Sequence, residues 1–437
     1  MPKKGQGQRR SWPFFLPDSH VSEVMGSMNL NLPEEFLVPD YSGGTIGNVP
    51  ATIAALLGVP FKGLRPLASP LWEPLGQAKR VVLLIIDAFG WNLFQKEQEN
   101  LPDFTREAHV AGRITSIFPS TTVAALSSLW TGLAPAQHGM VGLNLFMPHY
   151  AVTMQTLAFT PSFEKHPNAL IQAGLEPEKF LEGPGFAEQL ISGGVPTYAF
   201  KGREIVDSAL SKMHGRGVAG DTGIVTVADM FVQMKMLLES KAGESMFVSA
   251  YWPTIDTLSH VYGWDHAVVA AELWAILAQF QREFLGGLSP AARRETIFLL
   301  VADHGQIHTP VTQQIYLEDH PALQQMLFMA PAGEPRTPYL YVKNGRQTNV
   351  IQYIQDNLSE AMVAVPSQTA LAAGLLGPSP HASVTEERVG DVLVTMRSGY
   401  VLLTERQRES AKKMVGRHGG MTAAEMQVPW LGYRLDA

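Results

Sequence analysis

Three acidic residues close three apolar runs: Asp87 after residues 81–86, Asp256 shortly after residues 247–252, and Asp303 after residues 296–302. His260 follows Asp256 by four residues, a spacing that puts both side chains on one side of a helical turn. His304 follows Asp303 directly. Neighbouring residues diverge on regular structure, so this pair meets at one point only where a strand end bends into a loop. His418 lies among Gly416, Gly419 and Gly420, in a loop-like segment that lets backbone approach a ligand closely. Carboxylates with imidazoles suit zinc or manganese, and two such ions about 3.5–4 Å apart are a known device for phosphoryl transfer. The chain has no cysteine, which excludes disulfides, thiolate metal sites and thiol nucleophiles. Any metal must therefore rest on the acids and the 13 histidines.

An attacking group is available in Phe118-Pro119-Ser120-Thr121-Thr122, directly before the apolar run 123–129. A hydroxyl there sits at a helix N-terminus, where backbone N–H groups favour a phosphate. Metal coordination would lower its pKa towards an alkoxide. Spacing alone leaves Ser120, Thr121 and Thr122 open. Each residue also has a plainer use, since Ser and Thr cap helices and an Asp after a strand ends a turn. The coincidence of metal-type residues at three strand ends outweighs those separate readings.

The elements that must position these groups are legible as continuous apolar runs at 81–86, 245–251 and 296–301, read as strands, between helices at 48–57, 121–129 and 267–284. Strands apolar on both faces indicate an α/β fold with a mostly parallel central sheet flanked by helices, whose carboxyl ends form the ligand crevice. Residues 1–45 read as a loosely ordered N-terminal arm and 46–437 as the main domain. Residues 145–195 and 308–395 break the rhythm as inserted cap segments, with β-rich pieces at 338–342 and 389–395. With 437 residues, 46% of them hydrophobic, the chain is long and apolar enough to exclude wholesale disorder. A formal charge of -7 without a basic stripe argues against a nucleic-acid polymer as partner. Lys3, Lys4, Arg9 and Arg10 precede only the short apolar patch 12–16, too little for a signal-peptide core, and no run is long enough for a membrane span. The expectation is a soluble, cytoplasmic protein, and the sequence names no oligomeric state.

In order along the chain, Leu84-Ile85-Ile86-Asp87-Ala88-Phe89-Gly90, the 118–122 segment with Trp130-Thr131-Gly132-Leu133 and His138-Gly139, Asp256 with His260 and Gly263, Ala302-Asp303-His304-Gly305, and His418-Gly419-Gly420 resemble the alkaline phosphatase superfamily. The resemblance is greatest to its type I phosphodiesterase/nucleotide pyrophosphatase branch, and it implies an alkaline-phosphatase-like fold. It also implies two divalent ions, Zn2+ ahead of Mn2+. One would be held by Asp87, Asp303, His304 and the nucleophile Thr122, and the other by Asp256, His260 and His418, with His308 and His381 as competitors for the last place. Counting back from Thr131-Gly132 favours Thr122 over its neighbours. An Asn amide on a phosphoryl oxygen is a family feature, and Asn144, one residue out of register, is the candidate.

The implied reaction is two-metal hydrolysis of a small-molecule phosphodiester or pyrophosphate through a phosphothreonine intermediate. Nucleotide-cleaving relatives usually carry an aromatic residue just after the nucleophile and an Asn-His pair beyond it. Val123, Ala125 and Leu126 stand there instead, so base stacking at that point is lost. Trp252, Tyr262 and Trp264 either line a leaving-group pocket or pack. A phosphomonoesterase, phosphonate hydrolase or phosphosugar mutase would use the same ligands, sulfatase is disfavoured without Cys, and a non-catalytic metal-binding scaffold is the alternative from another class.

Overall fold

Seven consecutive residues with no polar interruption after Arg80 form the strand Arg80–Ile86 (β1), buried along its whole length. The structure, a computed structural model describing residues 30 and 32–437, places β1 at the middle of a seven-stranded sheet. The other strands are Val110–Thr115 (β2), Thr197–Gly202 (β3), Gly220–Ile224 (β4), Met246–Trp252 (β5), Thr296–Val301 (β6) and Gln427–Arg434 (β7), in the order β2-β7-β6-β1-β5-β3-β4. Only β7 runs antiparallel to its neighbours. Strands β1 and β6, apolar after Arg80 and Thr296, are buried along their whole length, as expected for central strands of a parallel sheet.

Register is what positions the chemistry. Arg80 lies opposite both Met246 and Thr296, and Ile86 opposite Trp252, so β5, β1 and β6 end side by side. Asp87, the turn before Asp256 and the segment at Asp303 thus leave the sheet at one edge of its carboxyl end.

The expected helices are present as Val49–Leu56 (α1), Thr122–Thr131 (α2) and Ala267–Gln279 (α4), the last continued by a wider turn at Phe280–Phe284. Between the last two, Thr254–Tyr262 (α3) carries the Asp256/His260 pair. Helix α2 stops where Gly132 takes a left-handed conformation, φ 69°.

The two stretches that break the rhythm meet in a second, antiparallel sheet. Strands Asn144–Met147, Val152–Gln155 and Thr160–Pro161 join Ala332–Gly333, Pro338–Leu340, Val392–Met396 and Met362–Pro366, through Gly333 opposite Asn144. Of the segment 1–45, residues 1–29 and 31, with the basic start and the 12–16 patch, lie outside the described residues. The remainder is anchored by buried Phe36 and Tyr41, by Leu37 N–H donating to the Met421 carbonyl at 2.8 Å, and by the Glu35–Arg397 ion pair at 2.7 Å. Among the described residues no helix is long and apolar enough to cross a membrane.

A fully buried ion pair fastens the second sheet to the His418 loop. Arg336 donates to Glu425 from Nε at 2.9 Å and Nη2 at 2.6 Å, and Glu425 also accepts the Gly420 N–H at 2.8 Å. Arg336→Met strands the carboxylate and is expected to destabilise the fold by about 3–5 kcal/mol. Chemical denaturation checks this, and a loss below about 1 kcal/mol would show that the pair is dispensable.

Candidate active site

At the end of β1 the chain bends at Ala88, whose φ of 57° is unusual for a residue with a Cβ. The bend aims the Ala88 N–H at Asp303 Oδ1, 3.1 Å away, and the same oxygen accepts the His304 N–H at 2.9 Å. Asp87 Oδ2 accepts a short hydrogen bond from the Tyr251 hydroxyl. The bend after β6 needs Gly305, because a Cβ there would lie 2.1 Å from the Ala424 carbonyl oxygen. Asp303 and His304 therefore both face the site, as a strand end turning into a loop requires.

The three imidazoles are set alike. Nδ1 of His260 donates to the Gly416 carbonyl at 2.7 Å, Nδ1 of His304 to Gly305 at 3.0 Å and Nδ1 of His418 to Ser120 at 3.0 Å. A carbonyl only accepts, so each Nδ1 carries the proton and each Nε2 offers its lone pair inward. His260 Nε2 is 3.3 Å from Asp256 Oδ2, His418 Nε2 is 3.6 Å from Asp256 Oδ1, and His304 Nε2 is 3.5 Å from Asp87 Oδ1 and 3.4 Å from Asp303 Oδ2. The His304 and His418 rings stack with centroids 3.7 Å apart.

Ligand atoms of Asp256, His260 and His418 lie within 4.8 Å of one another, and so do those of Asp87, Asp256 and His304. The first group is the expected second set. The other brings Asp256 into contact with the first set, so that Asp256 stands between the two. Asp87 Oδ1 and Asp303 Oδ2 are buried and accept no hydrogen bond among the described residues. Orphaned carboxylate oxygens facing inward-pointing imidazole lone pairs fit divalent cations.

Local contacts separate the three hydroxyls that spacing left open. Ser120 Oγ donates to the Gly420 carbonyl at 2.7 Å and accepts the Gly419 N–H at 3.3 Å, which holds the His418 loop. Thr121 is buried and faces Glu334. Thr122, the first residue of α2, is half-buried, and its hydroxyl donates to His304 Nε2 at 3.1 Å. Among the described residues no side chain caps α2, which leaves its first-turn N–H groups to an anion.

These elements fall in the order of a known family. A family model for type I phosphodiesterase / nucleotide pyrophosphatase matches residues 81–421. The chain belongs to this family. Its members are phosphoester hydrolases of the alkaline phosphatase superfamily. No curated protein sequence matches the chain. Among solved structures, murine ectonucleotide pyrophosphatase / phosphodiesterase 5 is similar at 16% identity and a TM-score of 0.60, covering 81% of this chain and 87% of that one. Its human counterpart has 16% identity and a TM-score of 0.59, with the same coverage. Phosphonoacetate hydrolase from Sinorhizobium meliloti 1021, in complex with phosphonoformate, has 17% identity and a TM-score of 0.60, covering 80% of this chain and 89% of that one. The mostly parallel alkaline-phosphatase-like fold is thereby established.

In this phosphodiesterase-family site, Thr122, Asp256, His260, His418 and Asn144 line a cavity of about 240 Å3. The Asn144 amide donates to the Gly333 carbonyl at 3.4 Å. The competitors for His418 lie elsewhere: His308 Nε2 pairs with Asp265 Oδ1 at 2.9 Å, and neither it nor His381 joins the ligand groups. Trp252 and Trp264 pack against the core and Tyr262 stacks on His266, so none of the three aromatics lines the cavity. Leu157, Leu403 and Met414 supply its apolar wall. His138, in the family motif, is a buried structural residue whose Nδ1 accepts the Met140 N–H at 3.1 Å and whose Nε2 donates to Ser128 Oγ at 3.0 Å.

Residues that sequence reasoning missed are Tyr251 on Asp87, Gln306, whose amide donates to Asp256 Oδ1 at 2.6 Å, Glu334, whose Oε1 accepts the Leu143 N–H at 2.7 Å, and Arg417. Tyr251 was findable, since alternation along β5 puts it on one sheet face one residue short of the strand end. Burial and then the neighbouring carboxylates push Asp87 well above the usual carboxylate range, and burial pushes Asp303 up to about 6. Burial also raises Asp256, but His260 and then His418 outweigh it and hold that carboxyl low. Burial depresses His304 to about 4 and His418 to about 3, while for His260 the Asp256 charge overcomes burial and raises it.

With both carboxyls raised, a cation bound at Asp87 and Asp303 would have to compete with protons at acidic pH. Cation affinity is expected to rise with pH through about 6. Without the cation the sign reverses for stability: the raised Asp303 binds more protons folded than unfolded, so stability falls as pH rises from 3.8 to about 6. Competition with a chelator at pH 5 and pH 8 checks the affinity, and equal affinity at both would contradict this assignment.

Proposed function

We propose that the chain is a two-metal-dependent hydrolase of phosphodiester or pyrophosphate bonds in small molecules, acting through a phosphothreonine at Thr122. The observation that carries the reading is the placement of Thr122 Oγ1 at an uncapped helix N-terminus, 3.1 Å from His304 Nε2 and beside two clusters of inward-facing ligands. Asp87, Asp303 and His304 with Thr122 would hold one divalent ion, and Asp256, His260 and His418 the other, with zinc ahead of manganese. Bound there, the ions would acidify the Thr122 hydroxyl and neutralise charge on the phosphoryl and leaving oxygens.

The chain's own residues do the rest. The first-turn N–H groups of α2 and the Asn144 amide hold non-bridging oxygens, while the single half-buried hydroxyl is aimed at phosphorus. Attack by Thr122 Oγ1 forms the new P–O bond as the bond to the leaving oxygen breaks in line. Water then attacks the phosphothreonine, and the Thr122 oxygen leaves. Tyr251 and Gln306 hold Asp87 and Asp256 in place through hydrogen bonds. An inactive Thr-to-Ala variant of the murine neighbour is known in complex with AMP, which supports a threonine in this role.

Parallel assays on bis-p-nitrophenyl phosphate and p-nitrophenyl phosphate test the substrate class. Faster turnover of the diester is expected. A preference for the monoester would shift the reading to a phosphomonoesterase, and phosphoryl return to the substrate without release of phosphate would make it a mutase.

A further inference from the structure

The cavity beside Thr122 contains a cation that the phosphoryl chemistry does not use. Four arginines are buried among the described residues: Arg80, Arg336, Arg388 and Arg417. Arg80 donates to the Ala291 carbonyl at 3.0 Å, Arg336 to Glu425 at 2.6 Å and Arg388 to the Gly139 carbonyl at 2.7 Å. Arg417 is only 7% exposed, yet its Nε and Nη2 have no hydrogen-bond partner, and its guanidinium makes no ion pair among the described residues. Burying a guanidinium without a partner is costly, which singles Arg417 out as a group that an anion would satisfy.

Arg417 lines the same cavity as Thr122, Asn144 and Glu334. It follows Gly416, whose carbonyl accepts from His260, and precedes His418, so it is built into the Asp256/His260/His418 side of the site. Thr122 contacts the other side, at His304. An in-line reaction puts the leaving group opposite the attacking oxygen, and we take that to be the Asp256/His260/His418 side, which Arg417 adjoins in the chain. Glu334, an acid of the same cavity, attracts the guanidinium but forms no ion pair with it among the described residues, and one of its oxygens is taken by the Leu143 N–H at 2.7 Å.

Building on the hydrolase reading, we propose that Arg417 determines specificity by binding a second oxyanion, a phosphate or a carboxylate, carried on the leaving group of the substrate. A planar guanidinium pairs with either anion through two parallel hydrogen bonds, which a neutral leaving group cannot accept.

The test compares wild type, Arg417→Met and Arg417→Lys on three substrates: bis-p-nitrophenyl phosphate as the reference, ATP as the phosphate arm and 2-phosphoglycolate as the carboxylate arm. Arg417→Met is expected to lower kcat/KM by about 100-fold on one anionic arm, chiefly through KM, and by less than about tenfold on the reference. The arm that responds identifies the anion, and Arg417→Lys should recover part of the loss. Thermal unfolding with pyrophosphate or 2-phosphoglycolate gives a readout independent of turnover. One of the two should stabilise wild type but not Arg417→Met, and the ligand-free variant should melt no lower than wild type. Equal losses on all three substrates, or a wild type that hydrolyses the reference but neither turns over nor is stabilised by either anion, would overturn the proposal. Failure of wild type on the reference as well would instead count against the hydrolase reading, and the thermal shift would still decide for or against anion binding at Arg417.

Discussion

Thr122→Ala is expected to lower kcat on bis-p-nitrophenyl phosphate by at least about 10^3-fold, because it removes the oxygen that forms the bond to phosphorus. The fold should be almost unaffected. Among the described residues the hydroxyl makes a single hydrogen bond, to His304 Nε2, at the half-buried start of α2, and Ala is a good helix former at that position. Thr122→Ser keeps the oxygen and should keep part of the activity. The neighbours respond differently, because Ser120 Oγ holds the His418 loop through Gly419 and Gly420. Ser120→Ala should therefore act through stability and ligand placement. Steady-state kinetics beside a melting curve separate the cases, and Thr122→Ala activity within tenfold of wild type would remove Thr122 from the nucleophile's role.

Asp256→Asn should have the other large effect, a loss of about 10^3-fold or more in kcat/KM together with a fall in bound metal. Asp256 is the one residue common to both groups of close ligand atoms, and its charge is what raises His260 against the effect of burial. The amide keeps the volume and one acceptor oxygen but removes that charge. Both sites should weaken together, whereas a substitution at Asp87 should act mainly on one. Elemental analysis of the variant checks this, and wild-type metal content with normal turnover would show that Asp256 ligates neither ion.

The candidate site residues at the strand ends were readable because each is tied to a local pattern. Uninterrupted apolar runs marked β1 and β6 as buried strands, and in a parallel sheet the residue just past such a run must lie at the ligand edge. The four-residue step from Asp256 to His260 needed only a helical turn, which α3 supplies. What escaped depends on contacts across long separations. Glu334 is a lone acid between Gly333 and Pro335, with no period to mark it. It reaches Thr121 because a strand pairs Gly333 with Asn144 across the chain. The union of residues 144–161 and 332–396 in one sheet rests on such pairing, and short strands carry too little alternation to announce it. Arg417 was hidden by its neighbour, since beside a candidate ligand an Arg reads as surface charge until its burial and missing partners are seen. The aromatics near Asp256 went the opposite way, with two of them spent on packing.

The most direct test of the central claim is metal content measured together with turnover. Protein purified without chelator should carry about two divalent ions per chain, lose both ions and diester hydrolysis on chelation, and regain activity as zinc or manganese is returned. Undiminished hydrolysis of bis-p-nitrophenyl phosphate by protein stripped of metal would contradict the account.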